Sequence, residues 1–217
     1  MTTAADIDAG IVRLNESGAA GYALPLGARE KLQAYIALLA KWNATYNLTA
    51  IREPERMVTH HVLDALAVLP HLADTGPALR VLDVGSGGGV PAVPLAIARP
   101  QWHVVALDSN HKKGAFLQQA ISELPLPNAE AVIARVEEYV PTAPFDIVIS
   151  RAFADLATFV NSSARHLAPN GVLVAMKGVF PDEEIDELPP NMRVVATPAL
   201  HVPGLDAERH LIVMAVQ

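Results

Sequence analysis

The sequence predicts an α/β fold in which helices cover both faces of a mostly parallel sheet and a helical cap precedes the sheet. Apolar residues recur at helical spacing up to about residue 72, and from residue 78 onward short apolar runs alternate with helical patterns. The composition, with 51% apolar and 18% charged residues among 217, is typical of a globular chain. We therefore predict a helical cap over residues 1–77 and a sheet domain over residues 78–217.

Helical periodicity is clearest between Leu32 and Trp42, where apolar side chains recur every three or four residues and form one stripe. A further helix is predicted to begin near Pro54, because proline is favoured in the first turn, and to end before Pro70. Residues 74–77, Asp-Thr-Gly-Pro, are predicted to connect the cap to the sheet domain.

Seven strands are predicted in the second part of the chain, each a short apolar run of the kind that a parallel sheet buries. No helical pattern separates the last two runs, so we expect these strands to pair antiparallel through a long loop. The predicted strands cover residues 80–84, 103–107, 129–134, 146–150, 171–176, 192–196 and 210–216.

Composition excludes several classes of chemistry. The absence of cysteine excludes disulfides, thiolate metal sites and cysteine nucleophiles, and we expect no metal site of another kind. No signal sequence and no run of about 18 apolar residues is present, which predicts a cytoplasmic protein without a membrane partner. The net charge of −7 argues against a broad nucleic-acid surface, but five acidic residues are concentrated between 182 and 187, so local basic patches remain open.

A glycine-rich turn follows the first predicted strand, where Gly85 and Gly87 allow positive φ and close approach of a ligand. Val90 stands where a dinucleotide-binding fold has its third glycine, and no Gly-Lys-Ser/Thr sequence occurs, so a P-loop is excluded. Asp108 ends the second predicted strand, where a carboxylate is placed to accept both hydroxyls of a ribose. Asp83, inside an apolar strand, either fixes the turn or serves the ligand.

Further short motifs match one known family. They are Trp42-Asn43 with Tyr46-Asn47-Leu48-Thr49, His61-Val62-Leu63-Asp64, the glycine turn with Pro91, Leu107-Asp108-Ser109, Lys112 to Leu117, Arg135-Val136-Glu137-Glu138, Ser150-Arg151-Ala152-Phe153, Lys177-Gly178 and Glu208-Arg209-His210-Leu211. The chain resembles the Rossmann-like S-adenosylmethionine-dependent methyltransferases, and among them the ribosomal RNA small subunit methyltransferase G family, also called the glucose-inhibited division protein B family. Ala92 departs from the glycine of many members, with little expected consequence because alanine is nearly as small.

The resemblance implies S-adenosylmethionine as cofactor and methylation of nitrogen-7 of the guanine at position 527 of 16S rRNA. The substrate would be this RNA or a precursor of the small ribosomal subunit, and we expect the enzyme to be a monomer. Carried over residue by residue, the cofactor contacts fall on Gly85, Val90, Val136, Glu137 and Arg151. The turn and ribose arguments above add Gly87 and Asp108, and Glu138 is as eligible as Glu137 on spacing alone.

The segment Ser150-Arg151-Ala152-Phe153 favours a ring nitrogen as the methyl acceptor. Methyltransferases acting on amino groups often carry an Asn- or Asp-Pro-Pro-aromatic motif there, and this chain does not. Nitrogen-7 of guanine has no proton to remove, so we assign no general base and leave the catalytic residues unknown. Arg151 suits a cofactor carboxylate, a phosphate or the guanine edge, and the resemblance favours the cofactor.

Lys112, Lys177 and Arg209 are the candidate RNA contacts, because each is a cation in a segment shared with the family. For any one of them an ordinary solvated cation is the commoner role. The alternatives are a methyltransferase for another RNA or a small molecule, and a non-catalytic protein that binds an adenosyl cofactor. An NAD-dependent oxidoreductase is disfavoured by Val90 and by the lack of a second substrate domain.

Overall fold

A computed structural model of the chain describes residues 2–16, 23–72 and 78–217. The predicted connection at 74–77 lies outside the described residues.

The chain begins with two long helices, α1 (Thr2–Glu16) and α2 (Ala28–Tyr46). The apolar stripe predicted for α2 is confirmed, because Leu32, Tyr35 and Leu39 are fully buried. This face of α2 packs on the helices and strands that follow, so the helical part and the sheet share one apolar core.

The third helical stretch begins at Pro54 as predicted but is not one regular helix. It consists of α3 (Pro54–Met57), a π-helical segment (Val58–Leu63), α4 (Asp64–Leu66) and, after a turn, α5 (Leu69–Leu72). α4 ends at Leu66, before Pro70 as predicted, but the sequence did not predict α5, which contains Pro70. Pro70 lies in the first turn of α5, where the N–H group that proline lacks has no partner within a helix.

The seven predicted strands are confirmed and form one sheet in the order β3-β2-β1-β4-β5-β7-β6. β7 pairs antiparallel with both β5 and β6, and the other pairs are parallel, as the predicted fold class requires. β5 begins four residues earlier than predicted, because Leu167 pairs with Phe145 ahead of a register shift. The strands are β1 (Arg80–Val84), β2 (His103–Asp108), β3 (Ala129–Ile133), β4 (Phe145–Arg151), β5 (Leu167–Lys177), β6 (Met192–Ala196) and β7 (His210–Val216).

Helices cover both faces of the sheet, which follows from the alternation of side chains along each strand. One face packs against α1, α2, α6 and α7, and the other packs against α8 and the turn after it. The remaining helices are α6 (Ala92–Ala98), α7 (His111–Glu123), α8 (Leu156–Ser163) with a 3-10 turn (Ala164–His166), and α9 (Asp182–Asp186).

Candidate active site

The candidate site lies where the order of the strands reverses. The chain places β2 and β3 on one side of β1, and β4 and β5 on the other. In open α/β sheets, ligands bind at such a point, outside the carboxyl ends of the strands. A glycine loop at residues 85–89 follows β1, Asp108 ends β2 and Arg151 ends β4, so three predicted site elements share this edge.

Gly85 and Gly89 are needed in the glycine loop for different reasons. Gly85 has a φ of 75°, and no described neighbour lies within 4 Å of the position that a Cβ would take, so the space beside it is open. Gly89 has a φ of 83°, and a Cβ there would lie 2.7 Å from Cγ2 of Val93 in α6. The N–H groups of Gly85 and Ser86 both donate to the carbonyl oxygen of Leu107, which fixes the loop against β2.

Asp83 holds the glycine loop from inside the sheet. Its Oδ2 accepts hydrogen bonds from the hydroxyl of Ser86 at 2.6 Å and from the N–H of Ala92 at 3.1 Å. The side chain is fully buried, and this burial raises the pKa of Asp83 to about 6. Among the described residues its Oδ1 has no hydrogen-bond partner. The contacts through Oδ2 give Asp83 the loop-fixing role that the sequence left open.

Asp108 connects the glycine loop to the end of β2. Its Oδ2 accepts from the N–H of Gly87 at 2.9 Å, and its Oδ1 accepts from the N–H of Asn110 at 2.8 Å. Nζ of Lys113 lies 3.9 Å from Oδ2 and adds a positive charge nearby. Each carboxylate oxygen has two lone pairs, so the two N–H contacts orient the group without exhausting its capacity to accept.

A cavity of about 190 Å³ opens beside these residues, and we call it the glycine-loop cavity. It brings together four of the predicted cofactor contacts, namely Gly85, Asp108, Val136 and Glu137. Gly87 joins it through the hydrogen bond to Asp108. The structure therefore places three predicted segments of the chain, after β1, β2 and β3, around one space, and Phe153 after β4 completes the lining.

The turn after β3 is anchored through a backbone carbonyl group that accepts hydrogen bonds from two side chains. The carbonyl oxygen of Val136 accepts hydrogen bonds from Nε2 of His166 at 2.9 Å and from Nη2 of Arg165 at 3.3 Å. The side chain of Val136 is buried, whereas Glu137 is exposed and lines the cavity. Glu138, which was equally eligible on spacing, is not part of this lining.

Val90 lies apart from the cavity. Its side chain is only 4% exposed and packs in the apolar core, and its N–H donates to the carbonyl oxygen of Ser86. The peptide bond to Pro91 is cis. Val90 thus shapes the end of the glycine loop but does not line the glycine-loop cavity.

Arg151 points away from the glycine-loop cavity and toward the helical part of the chain. Its Nη1 donates to the carbonyl oxygen of His60 at 2.7 Å and to Oδ2 of Asp64 at 3.3 Å. Nε of Arg209 donates to Oδ1 of the same carboxylate at 2.9 Å. One buried carboxylate therefore holds two arginines that lie far apart in the sequence.

These arginines line a second cavity of about 350 Å³, which we call the arginine cavity. Lys177 lies in its wall, and its Nζ donates to Oε2 of Glu184 at 2.6 Å. Lys112 is elsewhere: it is exposed at the start of α7, with Nζ 5.9 Å from the ring centre of Tyr46. The arginine cavity is lined by Asp64, Arg151, Ala152, Met176, Lys177, Gly178 and Arg209.

Sequence reasoning did not find the hydrogen bonds that fix the loop after α2 onto the π-helical segment. Asn43 accepts from the N–H of Thr49 and donates to the carbonyl oxygen of Ile51, which fixes the loop after α2. Oγ1 of Thr49 accepts the N–H of Ile51 and lies 2.9 Å from Nε2 of His61. Nδ1 of His61 lies 2.8 Å from the carbonyl oxygen of His60 and 3.4 Å from both Nη1 and Nη2 of Arg151. Burial and the nearby Arg151 charge lower the pKa of His61 to about 4.

One signal for Asp64 was present in the sequence. It stands among Val62, Leu63, Ala65 and Leu66, and a carboxylate in such an apolar stretch needs partners. Nothing local to the sequence showed that those partners are arginines 87 and 145 residues later.

The model of the rRNA small subunit methyltransferase G family matches residues 28–212 of the chain. The chain belongs to this family. It is 55% identical to the ribosomal RNA small subunit methyltransferase G of Chromobacterium violaceum, over 87% of this chain and 88% of that protein. It is 50% identical to the protein of the same name from Laribacter hongkongensis, over 93% of this chain and 97% of that protein. The predicted family and the predicted enzyme class are confirmed.

Solved methyltransferase structures share the fold at low sequence identity. The glycopeptide N-methyltransferase MtfA is 14% identical, with a TM-score of 0.61 over 76% of this chain and 100% of that chain. TrmN from Thermus thermophilus is 19% identical, with a TM-score of 0.54 over 71% of this chain and 48% of that chain. The family member described here therefore has the Rossmann-like methyltransferase fold that the sequence predicts.

Within residues 2–16, 23–72 and 78–217, no helix is both long enough and apolar enough to cross a bilayer. In the same ranges no three acidic or histidine side chains are grouped so that they would hold a metal ion.

Proposed function

We propose that the chain transfers a methyl group from S-adenosylmethionine to nitrogen-7 of the guanine at position 527 of 16S rRNA. The observation that carries the proposal is membership of the rRNA small subunit methyltransferase G family over residues 28–212. The relatives in Chromobacterium violaceum and Laribacter hongkongensis bear that name, and they are matched over almost their full length. Free 16S rRNA and a small-subunit precursor are the substrates to test.

The residues around the glycine-loop cavity suit the parts of an adenosyl cofactor. Open space beside Gly85 admits a ligand to the backbone, and the oriented carboxylate of Asp108 offers acceptors for two ribose hydroxyls. Across the cavity, the backbone of Val136 and the carboxylate of Glu137 suit the acceptor and amino edges of adenine. Gly87 contributes by holding Asp108 in place.

Two predicted cofactor contacts act indirectly in this proposal. Val90 packs beneath the loop and maintains its shape. Arg151 lies beside Ala152 and Phe153, and Phe153 lines the glycine-loop cavity whereas Arg151 lines the arginine cavity. Arg151 is therefore beside the proposed cofactor site but not in the lining of its cavity.

The chain contributes binding and orientation rather than proton transfer. When bound, S-adenosylmethionine supplies an electrophilic methyl group, which accepts the lone pair of guanine nitrogen-7. That nitrogen carries no proton, so no side chain has to act as a base before attack. The site is expected to accelerate methyl transfer in two ways. It holds the guanine in line with the methyl group, and it excludes water.

The helical part of the chain takes part in the proposed site. The hydroxyl of Tyr35 in α2 contacts the glycine loop at Gly88, and Asp64 in α4 enters the arginine cavity. We propose that the predicted cap, residues 1–77, acts by covering and orienting the edge of the sheet domain, residues 78–217.

The proposal is tested by incubating the purified chain with tritiated S-adenosylmethionine and three RNAs. These are an unmodified 16S rRNA transcript, small ribosomal subunits that lack the modification, and an unrelated RNA of similar length. Aniline cleavage after reduction maps methylation of guanine nitrogen-7. We expect label at one guanine, position 527, in at least one ribosomal substrate and none in the unrelated RNA. Equal labelling of all three RNAs, or label at another atom, would refute the proposed target.

A further inference from the structure

The apolar stripe of α2 continues past the core and ends in an exposed aromatic side chain. Four members of the stripe recur at spacings of four, three and four residues on one face of the helix, namely Tyr35, Leu39, Trp42 and Tyr46. Tyr35 and Leu39 are fully buried, whereas Tyr46 is 45% exposed. The face of α2 that contacts the glycine loop therefore reaches solvent at the last residue of the helix.

The ring of Tyr46 is held in place by other aromatic rings. It packs against the ring of Trp42, with 5.1 Å between the centroids. Trp42 in turn packs edge-on against Phe116 of α7, with 5.7 Å between the centroids. An exposed ring that is fixed in this way offers an apolar surface to a ligand, and its contact with water is unfavourable until a ligand covers it.

Two cations lie near Tyr46. Nζ of Lys112, at the start of α7, is 5.9 Å from the centre of the Tyr46 ring. Nη2 of Arg52 donates to Oδ1 of Asn47 at 3.0 Å, so Arg52 is held beside the residue that follows Tyr46. Asn47 itself has a φ of 49°, a conformation that asparagine adopts at the end of a helix.

These two cations are not neutralised by acidic side chains. Within the residues that the structure describes, neither Lys112 nor Arg52 forms an ion pair. Glu53, the acidic neighbour of Arg52 in the sequence, lies 3.7 Å from Arg56 instead. A local positive patch therefore exists here although the net charge of the chain is −7.

We propose that Tyr46 is a platform on which an unpaired base of the RNA substrate stacks, with Lys112 and Arg52 contacting the phosphates beside that base. We call these three residues the Tyr46 platform. The inference rests on the proposed function and adds to it a surface that holds single-stranded RNA outside the methyl-transfer site. Proteins commonly bind single strands by combining aromatic rings with cations along the backbone, and every base has a face that stacks. The platform holds the strand and does not select the guanine.

The contact between Lys112 and Tyr46 is one that a base can replace. A separation of 5.9 Å is close to the limit at which a cation and a ring attract each other, and such contacts are weak at exposed sites. A base that covers the ring removes apolar surface from water. The flexible stem of the displaced lysine then lets its ammonium group reach a phosphate next to that base.

The Tyr46 platform lies at the same edge of the sheet as the glycine-loop cavity. Lys113, next to Lys112 in α7, has its Nζ 3.9 Å from Oδ2 of Asp108, which lines that cavity. About three turns of α2, a rise of roughly 16 Å, separate Tyr46 from Tyr35, which contacts the glycine loop. A strand held at Tyr46 would therefore be only a few nucleotides from a guanine at the methyl-transfer site.

The test measures RNA affinity without turnover. Filter binding is carried out at several KCl concentrations with an unmodified 16S rRNA transcript and with small ribosomal subunits that lack the modification. The slope of log K against log salt reports how many phosphates of a single strand are contacted, at about 0.7 unit for each. Cofactor affinity is measured separately by calorimetry without RNA.

Variants of Tyr46 separate stacking from packing. Tyr46→Phe keeps the ring and should change RNA affinity less than about twofold. Tyr46→Leu keeps apolar contact with Trp42 but has no aromatic face, so RNA affinity should fall at least about tenfold. The salt slope of Tyr46→Leu should stay the same, because no phosphate contact is lost.

Variants of the cations should change the salt slope instead. Lys112→Gln and Arg52→Gln should each weaken RNA binding and lower the slope by about 0.7 unit. Lys31→Gln is the matched control. Nζ of Lys31 donates to the carbonyl oxygen of Pro125 near the other end of α2, so this variant should leave RNA affinity and the slope unchanged.

Three outcomes would overturn the inference. RNA affinity of Tyr46→Leu equal to that of the unaltered chain would show that no base stacks on the ring. A parallel loss of cofactor affinity in Tyr46→Leu would show that the ring only supports the glycine loop through α2. If circular dichroism shows that Tyr46→Leu does not fold, unchanged salt slopes of both cation variants would overturn the inference.

Failure of the proposed function would be seen separately. An unaltered chain that methylates none of the RNAs would refute the proposed function, whereas the filter-binding results depend only on RNA affinity. A chain that methylates 16S rRNA but binds it equally well without the Tyr46 ring would refute the Tyr46 platform alone.

Discussion

The hydroxyl of Tyr35 donates a 2.6 Å hydrogen bond to the carbonyl oxygen of Gly88, which joins helix α2 to the middle of the glycine loop. Tyr35 is fully buried, and burial raises its pKa, so the hydroxyl stays protonated as a donor. Leu39, one turn later in the same helix, lies 3.1 Å from the position of a Cβ at Gly88. The helical part therefore determines where the glycine loop lies.

The variant Tyr35→Phe tests this link. It leaves a loop carbonyl without its donor, and we expect the free energy of unfolding to fall by about 1–2 kcal/mol. Cofactor affinity should fall as well, because the loop loses its support. Urea denaturation and calorimetry measure the two effects. Tyr46→Phe is the control, since Tyr46 is 45% exposed, and equal effects of the two variants would contradict the account.

Gly85→Ala tests the open space beside the glycine loop. Gly85 and Gly27 have φ values of 75° and 79°, and neither has a described neighbour within 4 Å of a Cβ position. Alanine at either position should cost about 1 kcal/mol of stability through backbone strain. Only Gly85→Ala should also weaken cofactor binding, because its methyl group would enter the cavity. Similar cofactor affinities of the two variants would argue against the cofactor site.

Asp108→Asn tests the predicted ribose contact. The amide keeps the size of the side chain but loses the charge and one pair of acceptors, so we expect cofactor affinity to fall at least about tenfold. Asp146→Asn is a matched control, because Asp146 also accepts a backbone N–H, that of Arg80, but outside the glycine-loop cavity. Calorimetric titration with S-adenosylmethionine measures both. Normal affinity of a folded Asp108→Asn chain would remove Asp108 from the site.

His61 predicts a pH dependence of stability. Burial and Arg151 lower its pKa from 6.5 to about 4, so between these values the folded chain binds fewer protons at His61 than the unfolded chain. This contribution to stability is present above about pH 6.5 and is lost as the pH falls toward 4. Its size is on the order of 3–4 kcal/mol, because one pKa unit corresponds to about 1.4 kcal/mol.

Asp83 has the opposite effect on stability, because burial raises its pKa in the folded chain to about 6. Its stabilising contribution is lost as the pH rises from about 4 through 6.

The effect of His61 is therefore measured as the difference in unfolding free energy between the unaltered chain and a His61 variant. Unfolding free energies of the unaltered chain and of His61→Gln, compared at pH 4.5 and pH 7, should diverge toward the higher pH. No divergence for His61→Gln would show that this histidine is not held neutral by the fold.

The sheet and four contacts of the glycine-loop cavity were predictable because their signals are local. Apolar runs mark the strands, and Gly85, Asp108, Val136 and Glu137 each follow or end one of those strands. In a parallel sheet the carboxyl ends of neighbouring strands meet at one edge, so sequence order alone places these residues together.

The contacts in the arginine cavity could not be predicted in the same way, because they are not local in the sequence. Asp64 and Arg209 are 145 residues apart, and their contact depends on how a helix packs over the sheet. The π-helical segment Val58–Leu63 could not be predicted either, because the apolar pattern was compared only with the 3.6-residue period of an α-helix. This segment carries the carbonyl group of His60 that Arg151 contacts. Lys177 was predicted to meet RNA, but the sequence did not show that Glu184 neutralises it.

The most direct test of the account counts methyl groups in a single-turnover reaction. Small ribosomal subunits that lack the modification are mixed with excess chain and tritiated S-adenosylmethionine, and the labelled 16S rRNA fragment is identified by mass spectrometry. We expect close to one methyl group per subunit, on nitrogen-7 of guanine 527, with incorporation slowed at least about tenfold by Asp108→Asn. Absence of label at that guanine, from a chain that binds the cofactor by calorimetry, would contradict it.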